Sequence, residues 1–241
     1  MNSTKHTLTQ FDADLDDIRE RVLQMGGLVE SQIRQVMDAL THDDVSLMDR
    51  VIENDLRVNG MDVAIDEKCV QLIARRQPAA GDLRMVMTVI KTIADIERIG
   101  DEAKKIARIG KALSQRDHHH ALRYTEIRHA SKMVLDMLLQ SLDCFARQDT
   151  TNATHVVRQD KFIDDEYRKV IRYLITLMME DPRTISNSLD ILFIAKSIER
   201  MGDHSKNIAE NMVYMVEGQK VSHLSDDEID YISSDSMAIY Q

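Results

Sequence analysis

Two stretches of this 241-residue chain hold side chains that could do chemistry at a fixed spacing. Glu97-Arg98-Ile99-Gly100-Asp101 lies within 96–107, and Glu199-Arg200-Met201-Gly202-Asp203 lies within 198–209. The offset is 102 residues (199 − 97), and eight of the twelve paired positions are identical, which marks an internal duplication. A Glu and an Asp four residues apart share one helical face, about one turn from each other. Exposed like charges at that spacing repel by roughly 0.2–0.5 kcal/mol. A bound cation is one way to offset this. Solvation, with Arg98, Lys104, Lys105, Arg200 and Lys206 as counter-charges, is the other.

Helices must position these residues. Pro occurs twice, Gly eight times and Trp not at all, while Met occurs fifteen times. That composition predicts an all-α protein with an aliphatic, Met-rich core. Apolar residues recur in steps of three and four from Phe11 through Leu15, Ile18, Val22, Met25, Val29, Ile33 and Val36 to Leu40, which reads as one long helix after a polar, unstructured start over 1–8. A turn at 41–44, capped by Asp43 or Asp44, leads to a second helix ending before Pro78. Asp82 is placed to cap a third. The second half repeats the plan, and Pro182 lies 104 residues (182 − 78) after Pro78. The fold expected is two tandem three-helix bundles of six long antiparallel helices, over 9–113 and 121–217, with an acidic tail over 218–241.

The apolar seams break where carboxylates enter. On the second helix the seam reads Met48, Ile52, Asp55, Asn59, Asp62, Asp66, Cys69, Ile73; the plainer reading rotates the helix so that Val58, Met61 and Ile65 pack. On the fifth it reads Val157, Asp160, Asp164, Tyr167, Ile171. Equal distances from a hairpin turn place residues at equal height. Asp55 lies 23 residues before Pro78, and Glu97 and Asp101 lie 19 and 23 after it. Asp160 and Asp164 lie 22 and 18 before Pro182, with Glu199 and Asp203 17 and 21 after it. Counting therefore predicts two carboxylate patches: Asp55, Asp62, Glu97 and Asp101, and Asp160, Asp164, Glu199 and Asp203.

Oxygen-only donor sets suit hard divalent cations or iron. The expected cofactor is a divalent metal or an iron cluster, with Mg, Mn, Fe and Zn all open. The second patch, with four carboxylates where the first has Asn59 in one place, is expected to bind more tightly. A carboxylate-bridged metal enzyme is an alternative, but such bundles carry Glu-x-x-His pairs, and here Gly100 and Gly202 hold the third position. Neither a nucleophilic triad nor a phosphate-binding loop is visible. The other alternative is a metal-free helical scaffold. His118-His119-His120 reads as a solvated link between the halves. Cys69 and Cys144 stand apart and read as reduced core residues. The net charge of −10 argues against nucleic acid. With no apolar leader and no run of 18 apolar residues, a cytoplasmic protein is expected.

The chain resembles the PhoU family of bacterial phosphate-uptake regulators along nearly its whole length. The residues that carry the resemblance are 25–30, 63–69, 74–78, 82–87, 97–101, 178–181 and 197–203, the tandem Glu-Arg-x-Gly-Asp arms being the most specific. The resemblance implies two similar three-helix bundles, with metal held by Glu/Asp-x-x-x-Asp pairs. It maps onto Glu97 with Asp101, Glu199 with Asp203, and Asp160 with Asp164, and departs at Asn59. It further implies a non-enzymatic adaptor that represses phosphate uptake and the starvation response. The implied partners are the ATPase subunit of the phosphate ABC transporter and a sensor histidine kinase at the inner membrane, and the implied assembly is a homodimer.

Overall fold

The structure is a computed structural model that describes residues 2–116 and 125–218, with side chains described from 11 to 116 and from 127 to 218. Six helices follow in order: α1 (Asn2–His42), α2 (Val45–Arg76), α3 (Ala80–Ser114), α4 (Thr125–Arg147), α5 (Thr150–Glu180) and, after a single 3-10 turn at Pro182–Thr184, α6 (Ile185–Glu217). There is no strand among the described residues. Helix α1 begins at Asn2, earlier than the polar start suggests. The link at 117–124 and the segment from 219 onward lie outside the described residues.

The turns are built alike in both halves. Asp43 and Gln148 adopt left-handed backbone conformations, with φ of 54° and 57°, and reverse the chain. The next residue then caps the new helix. Asp44 accepts from the Leu47 amide at 3.0 Å, and Asp149 accepts from the Asn152 amide at 3.0 Å. At the first proline the arrangement differs from expectation. Ala79, not Asp82, is the N-cap of α3 and makes no side-chain cap, while Asp82 sits in the first turn, where its charge favours the helix dipole.

Within each half the second and third helices form a hairpin flanked by the first, so α1 lies against α2 and α3, and α4 against α5 and α6. Helices α3 and α6 pack against each other along their lengths and join the halves. They run antiparallel. Lys91 lies over the Tyr214 ring, Asp95 meets His204, Glu102 meets Arg200 and Arg116 meets Asp190, so position falls in α6 as it rises in α3. Helices α1 and α4 touch where Gly26 meets Leu142; a Cβ at Gly26 would lie 2.5 Å from a Leu142 methyl.

The core is aliphatic and Met-rich, as the composition implies, with Met25, Met48, Met137, Met201 and Met212 buried. Each fully buried side chain of this size contributes about 1.5–3 kcal/mol. On α2 the buried stripe is Met48, Val51, Asp55, Val58, Ile65, Cys69 and Leu72, so the helix is rotated toward Val58 and Ile65 while Asp55 stays inside. Cys69 and Cys144 are buried free thiols.

Candidate cation-binding seams

The glycine of each Glu-Arg-x-Gly-Asp arm sets how closely the helices approach. A Cβ at Gly100 would lie 3.1 Å from Gln32 Oε1 and 3.5 Å from Val29 of α1 and Val58 of α2; one at Gly202 would lie 2.9 Å from Ile163 of α5 and 3.7 Å from Val134 of α4. Val29 and Val134 differ by 105, as do Val58 and Ile163, so the two environments are equivalent. This contact pins the flanking carboxylates at the height of their partners across the hairpin.

In the first half Asp55 is fully buried. Its Oδ2 accepts from Lys104 Nζ at 2.7 Å and, at 3.5 Å, from the Asn59 amide. Lys104 also reaches Asp101, at 3.1 Å. Asp55 Oδ1 and Asn59 Oδ1 are buried without a donor, as is Gln32 Oε1 of α1 beside Gly100. Glu97 and Asp62 are half-buried, and among the described residues neither forms an ion pair. Burial, reinforced by Asp101, Asp62 and Asp55, holds the Glu97 carboxyl above its ordinary range. Burial and Asp66 do the same for Asp62. The charges that disfavour one another are those that counting placed at one level.

The second half has the same frame with more counter-charge. Lys206 donates to buried Asp160 at 2.8 Å. Lys196 donates to Glu199 at 2.6 Å and lies 5.4 Å from the Tyr167 ring centre. Arg168 lies 3.8 Å from Asp164. Asp203 is held above the usual carboxylate range by burial, then by Glu199, Asp160 and Asp164. Lys104 and Lys206, three residues beyond the Asp of each arm, are raised by the carboxylates they bond, against the opposing effect of their burial.

Glu97 feels the charges of Asp101, Asp62 and Asp55, and Asp203 those of Glu199, Asp160 and Asp164, although Asp101 is itself exposed. Among the described residues, however, no three His, Cys, Asp or Glu side chains already close on a common point able to hold a metal ion. The ammonium groups of Lys104 and Lys206 sit against the central aspartates instead. Sequence reasoning counted these lysines among solvent counter-charges; that each sits one helical turn past its Asp was the available signal for a direct bond. The donor chemistry fits a hard cation better in the first half. There, Asp55 Oδ1 and Asn59 Oδ1 are buried without a donor, and half-buried Glu97 and Asp62 form no ion pair among the described residues. Counting carboxylates points to the second half, whereas these unpaired oxygens point to the first.

Fold and site together define a duplicated helical protein with two acidic hairpin faces. The PhoU domain profile matches residues 22–110 and again 127–212. The chain is 45% identical to the phosphate-specific transport system accessory protein PhoU of Edwardsiella tarda over 235 residues, covering 98% of this chain and 96% of that protein. It is 46% identical to the protein of the same name from Escherichia coli K12 over 230 residues, 95% of each chain. A crystal structure of PhoU from Pseudomonas aeruginosa superposes with a TM-score of 0.83 at 45% identity, covering 87% of this chain and all of that one. The phosphate transport system regulatory protein PhoU from Streptococcus pneumoniae gives 0.81 at 28% identity, covering 88% and 99%. The chain belongs to the PhoU family.

Proposed function

We propose that this chain is a non-enzymatic accessory protein of phosphate-specific transport and a negative regulator of phosphate uptake and the starvation response. The observation that carries the reading is 45–46% identity, over nearly the whole length, to relatives named as accessory proteins of that transport system. In this reading the chain acts in the cytoplasm as a homodimer, docking on the transporter's ATPase subunit and on a sensor histidine kinase. No helix of the described residues is long and apolar enough to cross a membrane; in this reading, contact with that machinery runs through partners. The carboxylate seams take a divalent cation, which would draw Asp55, Asp62, Glu97 and Asp101 together in the first half, with Asn59 beside them, and replace the Lys104 contact. The set in the second half is Asp160, Asp164, Glu199 and Asp203, where Asp164 stands at the position of Asn59. Such a cation would clamp the two helices of a hairpin.

Deletion of the gene tests the regulatory role. With phosphate plentiful, starvation reporters should switch on in the deletion strain and fall silent when the chain is restored. Reporters that stay silent without the chain would refute the role. Capture of the tagged chain from membranes at high and low phosphate should recover the ATPase subunit and the kinase, and recovery of neither would remove the adaptor reading.

A further inference from the structure

The duplication raises a question of recognition. Helices α3 and α6 are homologous and pack antiparallel on each other. Either could therefore pack in the same way on its own counterpart in a second copy of the chain. The residues in the joint differ between the repeats in a way that discriminates.

Asp95 is buried at the centre of this joint. A carboxylate only accepts, so His204 donates from Nδ1, 3.0 Å away. Asn207 donates to the same oxygen at 3.2 Å, and Asn211 to the other at 3.4 Å. One turn on, buried Glu102 takes Arg200 at 2.7 Å and Lys105 at 3.4 Å. The 102-residue offset pairs Asp95 with Ser197 and Glu102 with His204. The repeat operation thus carries the Asp95–His204 contact onto Ser197 and Glu102. Ser197 Oγ is buried without a partner.

We propose that positions 95 and 102 on α3, with 197 and 204 on α6, form a pairing code that admits α3 against α6 and rejects α3 against a second α3. In a like-with-like joint Asp95 would face Glu102 of the other copy, with Lys105 and Ile109 where Asn207 and Asn211 now donate. Arg98, which the 102-residue offset pairs with Arg200 and which lies 3.8 Å from Asp95, would serve Glu102 of the other copy, so Asp95 would exchange three donors for a facing carboxylate and a lysine that Glu102 already holds. Like charges there repel, and the buried carboxylate loses its donors. Two α6 helices would set Ser197 against His204 and leave the imidazole without its carboxylate. Only the unlike pairing gives Asp95 three donors.

Full-length variants test the code. Substituting both carboxylates by their neutral isosteres, Asp95→Asn with Glu102→Gln, removes the facing charges and with them the rejection. After refolding over a range of concentrations, this double variant should form larger species in a fraction that rises with concentration beyond wild type, read by size-exclusion light scattering. The same distribution as wild type overturns the proposal. A thermodynamic cycle guards against a variant that fails to fold. Asp95→Ala, His204→Ala and their combination should be non-additive, with about a tenfold coupling in the unfolding equilibrium constant. Additive effects would mean that the pair is not read and would equally overturn the code.

Discussion

Lys104→Met separates a lysine that merely neutralises Asp55 from one that holds the place of a cation. The Asp55 carboxylate is fully buried, whereas the Lys104 side chain keeps 20% of its exposure. Removing one partner of a buried pair costs about 3–5 kcal/mol. Water reaching the lysine's position and the remaining Asn59 contact reduce this, and roughly 2–3 kcal/mol is expected in chelator. For a chain of this length that lowers Tm by about 4–12 °C. Methionine keeps the apolar stem, so the loss reports the charge. With Mn²⁺ or Mg²⁺ present, a cation can take the ammonium's place against Asp55, Asn59 and Glu97. At a hundred times its Kd, that cation returns about 2.7 kcal/mol. The assay is thermal unfolding of wild type and variant, with chelator and across a metal titration. The expected result is a deficit in chelator that closes as metal is added. A deficit unchanged by metal would refute the displacement argument, and the absence of any deficit would refute the pairing itself.

Three further outcomes are expected. In chelator, Glu97→Gln should stabilise the protein by roughly 0.5–1 kcal/mol at neutral pH, because it removes a half-buried charge and its repulsion with Asp101, Asp62 and Asp55. The folded state holds the Glu97 proton more tightly than the unfolded one, so its penalty grows as pH rises through the raised folded value. The gain from the variant should therefore fade as pH falls toward the ordinary glutamate value of 4.5, and a gain independent of pH would contradict the assignment. Gly202→Val should cost about 1–3 kcal/mol in denaturant unfolding, because a Cβ there already meets an Ile163 methyl at 2.9 Å; a neutral result would mean that the α5–α6 approach is loose. Cys69 and Cys144 should resist thiol reagents in the native state and react on unfolding. Both are buried, and burial pushes each thiol up to about 12; rapid native labelling would contradict that burial.

Much of this architecture is legible in the residues. Steps of three and four gave every helix, and the two prolines with the duplicated arms gave the hairpins. Counting from the turns put Asp55 level with Glu97 and Asp101, because a hairpin of straight helices preserves height. Other features were not legible. Whether Asp55 faces a metal or Lys104 depends on which way one flexible side chain reaches, and spacing does not fix that. The rotation of α2 toward Val58 and Ile65 depends on packing against α1 and α3, which periodicity on a single helix leaves open by about one position. The Asp95–His204 joint was missed because it links residues 109 apart on different repeats. Its only trace was a polar residue inside the apolar stripe of α3, between Ile93 and Ile96. The missing cap at Asp82 has a local cause: α3 starts at Ala80, which places Asp82 inside the first turn.

The account turns on the first-half seam as the better cation site, against what the number of carboxylates suggests. The direct measurement is metal content by mass spectrometry after equilibrium dialysis against Mn²⁺, made on wild type, on Asp55→Asn with Glu97→Gln, and on Glu199→Gln with Asp203→Asn. The account predicts that wild type retains metal, that the first double variant loses most of it, and that the second keeps at least the first-half ion. A wild type that retains none, or a first-half variant that retains as much as wild type, would contradict it.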